Sequence, residues 1–324
     1  MKSGGFRASI LATLAVVTAA CAPRVHVANP SPLPADKIAE LWQHPEDLAS
    51  RDLFHGPGGA AAAPAGGESY TWIATDTTGF SPGYEVRGVD GRVWDVKLGI
   101  EAQSEVVASR VLWAIGYHQP ATYYVPAWQL AGGPGGLQGG ARFRLHAPDA
   151  EAIGDWSWAD NDFIGTQPYH GLIVTNILLN SWDWKTSNNK IYRSTTGASP
   201  QHRYIVRDLG ASLGKTAASR LLWIIPIPVR GFGQGSRNNI DDFESQGFIE
   251  RIDEHDVDFD FDSIYGSIVD LVHPKSVRWT AEWLSRITDA QWDDAFRAAQ
   301  YTPDVRQRYV RKIKAKIAEG LAVP

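Results

Sequence analysis

The sequence predicts an α+β fold with two lobes, a small antiparallel-sheet N-terminal lobe and a mainly helical C-terminal lobe. Alternating apolar segments separated by glycine-containing turns lie between residues 70 and 128, a pattern typical of short strands. The stretch 171–180 is almost continuously apolar and long enough for a buried helix. Helical patterns with recognisable caps follow it, among them Thr288-Asp-Ala-Gln291 and Thr302-Pro303.

Composition divides the chain into four segments. An apolar run behind basic residues comes first, a segment rich in Pro, Ala and Gly follows, and the two lobes come last. We therefore expect a signal peptide over 1–20, a lipid-anchored tether and linker over 21–69, the small lobe over 70–128 and the large lobe over 129–324.

The first segment has the pattern of a secretory signal that ends at a lipid-attachment cysteine. Its apolar run ends in Thr18-Ala-Ala-Cys21, which resembles a bacterial lipobox. Cys21 is the only cysteine, so an intramolecular disulfide and a zinc–thiolate site are excluded. We expect a lipoprotein of the cell envelope, held on a bacterial membrane by this lipid and facing away from the cytoplasm. Because Thr18 replaces the usual aliphatic residue, plain secretion and an uncleaved anchor stay open as alternatives.

The charge balance argues against one class of partner. The 324 residues carry 31 basic and 36 acidic side chains, for a formal net charge of -5. A mildly acidic chain is poorly suited to sequence-independent binding of nucleic acid. We therefore expect no nucleic-acid partner.

The small lobe begins with three predicted strands, over 70–74, 84–87 and 93–97. The turn between the first two contains Gly79 and Gly83. This turn is either an ordinary hairpin or a loop that lies over the phosphates of a ligand. Further strands are expected over 121–128 and 141–146, with a glycine-rich hairpin tip between them.

A lysine and a glutamate follow at a spacing that brings them together. Lys97 ends the third predicted strand, and a strong helical pattern runs over 101–115. Glu105 lies near the start of that helix and is placed to reach back to Lys97, while Glu101 is a rival partner.

The stretch after the buried helix contains the densest set of polar candidates. Asp183 is followed by Asn188 five residues later, and Asp208 opens an Asp-Leu-Gly turn after a predicted strand over 203–207. An asparagine and an aspartate of this kind can hold magnesium on nucleotide phosphates, while another aspartate orients and deprotonates a hydroxyl. Lys185 either stabilises the negative charge that develops in the transition state of a phosphoryl transfer or is a solvated loop lysine.

In this order, the polar residues resemble the phosphoryl-transfer centre of the protein-kinase-like superfamily. The looser branches are the better match, namely HipA-type kinases, CotH spore-coat kinases and atypical kinases of secretory compartments. The resemblance covers residues 79–215 by motif. It implies ATP or another nucleotide with Mg²⁺ or Mn²⁺. It also implies a catalytic aspartate, two metal ligands, a phosphate-binding lysine and that lysine's partner, which correspond to Asp183, Asn188, Asp208, Lys97 and Glu105.

Several positions depart from the usual kinase pattern. Ser181-Trp182 replaces the His-Arg before the catalytic aspartate, and Leu209 stands where phenylalanine is usual. No Ala-Pro-Glu segment is present, and a glycine-rich stretch over 231–247 takes the place of an activation or substrate loop. These departures concern regulation and substrate class more than the metal site.

The expected function is metal-dependent transfer of a phosphoryl group from a nucleotide to an unknown hydroxyl acceptor, protein or small molecule, in the cell envelope. One alternative is a non-catalytic envelope lipoprotein that keeps a kinase-like scaffold for binding or structure. Another is nucleotidyl transfer at the same site. A hydrolase is poorly supported, because the sequence has no His-Glu-x-x-His motif and its nine histidines are scattered without metal-ligand spacing.

Overall fold

The computed structural model describes residues 32–65, 67–77, 79–216, 235–262 and 266–324. The expected signal peptide, Cys21 and the first four residues of the 231–247 stretch lie outside these ranges.

The described chain contains both strands and helices. The strands are β1 (Ser69–Asp76), β2 (Gly83–Arg87), β3 (Val93–Leu98), β4 (Thr122–Val125), β5 (Trp128–Ala131), β6 (Gly136–Gln138), β7 (Ala141–Leu145), β8 (Ala150–Asp155), β9 (Asn189–Ser194), β10 (His202–Val206), β11 (Ile249–Ile252) and β12 (Val257–Phe259). The helices are α1 (Ala35–Ala39), α2 (Gly59–Ala62), α3 (Glu101–Ala114), α4 (Gln167–Leu178), α5 (Ile240–Ser245), α6 (Gly266–Val269), α7 (Pro274–Ser285), α8 (Asp289–Ala298) and α9 (Pro303–Leu321).

The small lobe is a seven-stranded sheet in the order β4-β7-β3-β2-β1-β5-β6. Neighbouring strands in this sheet pair antiparallel, except β1 and β5, which pair parallel. Its buried face is aromatic and includes Trp94, Trp128 and Phe143. Helix α3 packs against β3, β4 and β7. With the helices of the C-terminal part, this confirms the predicted α+β fold with two lobes.

The boundary between the lobes lies later than expected at residue 128, because the sheet continues to the end of β7. Strand β7 pairs with β3 from Trp94↔Leu145 to Leu98↔Ala141. The segment 121–128, predicted as one strand, is instead split into β4 and β5 around Pro126. Proline has no N–H to donate to a sheet ladder, so a strand tends to end there.

The expected tether over 21–69 is also too long at its C-terminal end. Leu41, Leu48 and Leu53 are buried in the main core of the large lobe. Nε1 of Trp42 donates a hydrogen bond to the backbone oxygen of Ile115 at 2.7 Å. The described residues of this segment are therefore part of the folded body, because their leucines are buried. The Pro- and Ala-rich composition around these leucines does not indicate that burial.

The large lobe is built around α4, which α7 and α9 cover. Two helix starts agree with the predicted caps. The side chain of Thr288 accepts the N–H of Gln291, and Gln291 Oε1 accepts the N–H of Thr288, which caps α8. Helix α9 begins after Thr302 with proline at its first position. Among the helices of the described chain, none combines the length and apolar character that crossing a bilayer requires.

Candidate functional site

A cleft with a volume of about 700 Å³ lies between the lobes. Both lobes contribute polar side chains to it, so a ligand there would contact the sheet and the loops after α4 together. It brings nearly all the predicted site residues into one space. Those lining it are Gly79, Gly83, Lys97, Asp183, Lys185, Asn188 and Asp208, and the rival Glu101 also lines it.

Lys97 forms the centre of the charge network. Its Nζ lies 2.9 Å from Oε2 of Glu105 and also contacts Oδ1 of Asp208. Oε2 of the rival Glu101 is farther, at 3.5 Å, and the other oxygen of Glu101 faces Arg237 at 2.7 Å. Burial opposes the charge on Lys97, but Glu105 and Asp208 outweigh it and raise the lysine pKa. The ammonium group is therefore held charged at the junction of the two lobes.

The local fold explains why Lys97 and Glu105 meet. Gly99, with φ of 83°, turns the chain directly from β3 into α3, a conformation that glycine adopts without strain. Glu101 and Glu105 are four residues apart, so they share one face of the helix. That face packs on the sheet, and Glu105 is only 1% exposed.

Two arginines that were not predicted from the sequence also contact Glu105, the partner of Lys97. Nε of Arg142 and Nη1 of Arg144 lie 2.9 and 3.3 Å from Oε1 of Glu105. In the β3–β7 register Lys97 is opposite Arg142 and Asp95 is opposite Arg144. Residues two apart on a strand share a face, so the Arg-Phe-Arg alternation in β7 was the available signal for a charged inner face.

Asn188 and Asp208 are brought together by a hairpin. Strands β9 and β10 pair with Asn189 opposite Val206, so the residues flanking them meet at one end. The backbone oxygen of Asn188 accepts the N–H groups of Arg207 and Asp208 at 2.9 and 3.3 Å. Burial alone would raise the pKa of Asp208, but the charge and hydrogen bond of Lys97 outweigh it and lower the pKa to about 2.

The Asp183 loop is fixed from both ends. It follows Asn180, which lies just after α4 and has a non-helical φ of 51°. Asn180 Nδ2 donates to the backbone oxygen of Gly214 at 2.7 Å. At the other end, Nδ2 of Asn188 donates to the backbone oxygen of Asp183 at 2.7 Å. Nζ of Lys185 donates to Oδ2 of Asp183 at 2.9 Å, and its side chain is otherwise exposed.

Two buried tryptophans flank Asp183. Trp182 and Trp184 are each 2% exposed. Trp184 stacks on Trp158 with ring centroids 5.0 Å apart and donates from Nε1 to the backbone oxygen of Ser181 at 2.6 Å. The two indoles anchor the loop on either side of the aspartate, so the Ser-Trp-Asp-Trp sequence has a packing reason.

The donors at the hairpin end suit a hard divalent cation. Asn188 uses its amide nitrogen on Asp183, so its oxygen Oδ1 is the atom that could bind a metal ion. Asp208 would supply carboxylate oxygens, a kind of ligand that Mg²⁺ prefers. Within the described ranges, no cluster of three or more carboxylate, histidine or cysteine side chains is arranged as a metal site.

The two glycines of the β1–β2 turn differ in their surroundings. A Cβ on Gly83 would lie 2.7 Å from the backbone oxygen of Val96. Gly83 is therefore required for the close pairing of β2 with β3. A Cβ on Gly79 would come no nearer than 3.6 Å to any other atom. A methyl group at Gly79 would therefore make only ordinary van der Waals contacts.

Two segments have the Gly-x-Ser-x-Gly form found around hydrolase nucleophiles, at 79–83 and 210–214. Oγ of Ser81 donates to Oε2 of Glu101 at 2.9 Å, and Oγ of Ser212 donates to the backbone oxygen of Leu209 at 2.6 Å. Both serines are buried. Within the described chain, neither is hydrogen-bonded to a histidine.

Comparison with solved structures finds similar chains, of which one is described here. No protein-family model matches the chain, and no curated protein matches its sequence. A crystal structure of the proinflammatory kinase CtkA of Helicobacter pylori superposes with a TM-score of 0.44 at 10% identity. The likeness covers 79% of this chain and 94% of that one.

Proposed function

We propose that this protein is a metal-dependent phosphotransferase of the kinase-like type, which transfers a phosphoryl group from a nucleoside triphosphate, with ATP as the first candidate, to a hydroxyl group. The observation that carries the proposal is the contact of one partly buried ammonium group, on Lys97, with Glu105 of the small lobe and Asp208 of the large lobe. Both contacts lie at the cleft that also contains Asp183 and Asn188.

On the phosphate side, the proposal uses Lys97 and the glycine-containing turn over 79–83, which line the cleft. Lys97, whose charge is supported by Glu105, would bind phosphate oxygens, and the turn with Gly79 would lie over them. Asn188 Oδ1 and the Asp208 carboxylate would hold Mg²⁺ or Mn²⁺, which when bound neutralises the charge of the triphosphate. Lys97 would then exchange its contact with Asp208 for phosphate oxygens.

The acceptor side of the site is the Asp183 loop. Asp183 would accept the proton of the acceptor hydroxyl as the acceptor oxygen bonds to the terminal phosphorus and the bond to the nucleoside diphosphate oxygen breaks. Lys185, 2.9 Å from the Asp183 carboxylate, would move its ammonium group toward the oxygens of the transferred group. The acceptor is a protein or small-molecule hydroxyl of the cell envelope.

We also propose that the protein is attached to a membrane through a lipid on Cys21. The support is the apolar run that ends in Ala-Ala-Cys21 and the absence of any other cysteine in the sequence. In a bacterial host, Cys21→Ser is expected to move the protein from the membrane fraction to the soluble fraction. An unchanged membrane fraction for that variant would contradict lipid attachment.

Thermal unfolding of the soluble body, beginning near residue 22, tests nucleotide binding. We expect ATP with Mg²⁺ or Mn²⁺ to stabilise the wild type, by about 2.7 kcal/mol at a hundred times the dissociation constant. Asp208→Ala is expected to lose that stabilisation, while Asp256→Ala, which changes an exposed aspartate outside the cleft, keeps it. The absence of a shift with either metal in the wild type would instead support a non-catalytic binding protein.

A further inference from the structure

Arg237 joins three separate elements at one end of the cleft. The centre of its guanidinium group lies 3.9 Å from the ring centroid of Phe80 in the β1–β2 turn and 4.5 Å from that of Trp182 in the Asp183 loop. Its Nε lies 2.7 Å from Oε1 of Glu101 in α3. These partners belong to both lobes, and Arg237 itself is 8% exposed.

The backbone around Arg237 is held in place independently of its side chain. The N–H of Ser236 donates to the oxygen of Lys215 at 2.8 Å, and the N–H of Asn238 donates to the oxygen of Ser212 at 2.9 Å. The segment thus runs beside the residues that follow the Asp-Leu-Gly turn. Gly235 enters so close to Trp182 that a Cβ would lie 2.7 Å from the indole nitrogen.

The charge of Arg237 has a specific counterpart. Glu101 is 5% exposed, and its Oε2 lies 3.5 Å from Nζ of Lys97 while accepting the hydroxyl of Ser81. A buried carboxylate needs a cation. If a neutral side chain replaced Arg237, the Glu101 carboxylate would compete with Glu105 for Lys97. It would also repel phosphate groups bound near Lys97.

We propose that Arg237 is a positioning residue that sets the geometry of the phosphate end of the cleft. By stacking between Phe80 and Trp182, it holds the glycine turn at a defined height above the Asp183 loop. By pairing with Glu101, it leaves Lys97 available for phosphates. The second role rests on the proposed phosphotransferase function, whereas the first concerns the ligand-free protein.

Hydrogen exchange of the ligand-free protein tests the stacking role. Arg237→Gln is expected to increase amide exchange in the 79–83 turn by about 10-fold, because the link between the lobes is lost. Phe80→Leu removes one ring without changing any charge and should have the same effect. Arg237→Lys should not restore protection, since an ammonium group lacks the planar face that stacks. Arg251→Gln, at an exposed arginine of β11, is the matched control.

Binding of ATP with Mg²⁺ tests the charge role. Arg237→Gln is expected to weaken binding by about 10-fold, and adding Glu101→Gln to it should restore most of the affinity because the uncompensated carboxylate is gone. The double variant should still show the fast exchange of the turn, since its stacking is not restored.

The outcomes separate this proposal from the function on which it partly rests. Wild-type exchange at residues 79–83 in both Arg237→Gln and Phe80→Leu would overturn the stacking role, whether or not the protein binds nucleotide. Weakened binding in Arg237→Gln that Glu101→Gln fails to restore would overturn the charge role. A wild type that binds no nucleotide with either metal would contradict the proposed function and with it the charge role, while the exchange experiment would still decide the stacking role.

Discussion

Nζ of Lys97 lies 2.9 Å from Oε2 of Glu105, which joins the strand before the cleft to the helix behind it. Because Glu105 also faces Arg142 and Arg144, the pair is part of a buried network rather than an isolated ion pair. Removing one member of such a network leaves charges buried without compensation.

Glu105→Gln is therefore expected to destabilise the fold and weaken nucleotide binding together. We expect a loss of about 3 kcal/mol in the free energy of unfolding, since three cations lose their shared carboxylate. Urea denaturation and ATP titration of the same preparations measure the two effects. Glu151→Gln, at an exposed position of β8, should change neither. A Glu105→Gln variant as stable as the wild type would show that the arginines find other partners.

Replacing Trp184 tests the anchoring of the Asp183 loop. Trp184→Ala removes a buried ring stacked on Trp158 and should reduce the free energy of unfolding by about 3 to 5 kcal/mol. Trp184→Phe keeps most of the packing but leaves the oxygen of Ser181 without its indole donor, for a smaller loss of about 1 to 2 kcal/mol. Chemical denaturation should place the two variants in that order, and equal losses would contradict the assigned hydrogen bond.

A methyl group at Gly83 tests the close pairing of β2 with β3. Gly83→Ala would bring Cβ within 2.7 Å of the backbone oxygen of Val96, so the strands must separate and the turn over the cleft must shift. We expect a lower melting temperature and weaker binding of ATP. Gly154→Ala is the matched control, since a Cβ there meets no atom within 4 Å. Equal melting temperatures for the two variants would refute the steric argument.

Lys316 gives a pH dependence with a defined sign. It is fully buried, its Nζ donates to Oδ1 of Asn180 at 2.8 Å, and burial lowers its pKa from 10.5 to about 7. Between these values the unfolded chain binds the additional proton, so the free energy of unfolding rises as pH increases. The slope should approach about 1.4 kcal/mol per pH unit.

Urea denaturation between about pH 7 and about pH 9.5 measures this slope, in a range below the titration of ordinary tyrosines. Lys316→Met should flatten the dependence, while Lys275→Met, at an exposed lysine of α7, should preserve it. A wild-type free energy that is constant over this range would show that Lys316 stays charged in the folded protein.

The polar residues of the cleft were predictable where local spacing determines their meeting. Asn188 and Asp208 flank a single hairpin. Lys97 lies near the end of β3, and a short turn joins β3 to α3, the helix that carries Glu105. Each pair is brought together by neighbouring elements, so sequence order was sufficient to place it.

Other features depend on contacts between distant parts of the chain and were not predictable. Arg237 meets Phe80 and Trp182 only because the lobes come together, and an arginine beside glycines has no pattern of its own. Strand β8 is an exposed edge strand without apolar alternation, so its sequence is typical of a loop. The burial of Leu41 is likewise set by the large lobe and not by its own segment.

The most direct test of the phosphotransferase proposal is ³¹P NMR of the protein with ATP and Mg²⁺. With no other acceptor added, we predict that the terminal phosphoryl group passes to water or to a hydroxyl group of the protein itself, and that the signals of ADP appear. Asp183→Asn is expected to reduce the rate by about 100-fold or more through loss of the base while still binding the nucleotide. Asp256→Asn should react as the wild type does. Unchanged turnover in Asp183→Asn, or release of pyrophosphate instead of ADP, would contradict the proposed phosphoryl transfer at this site.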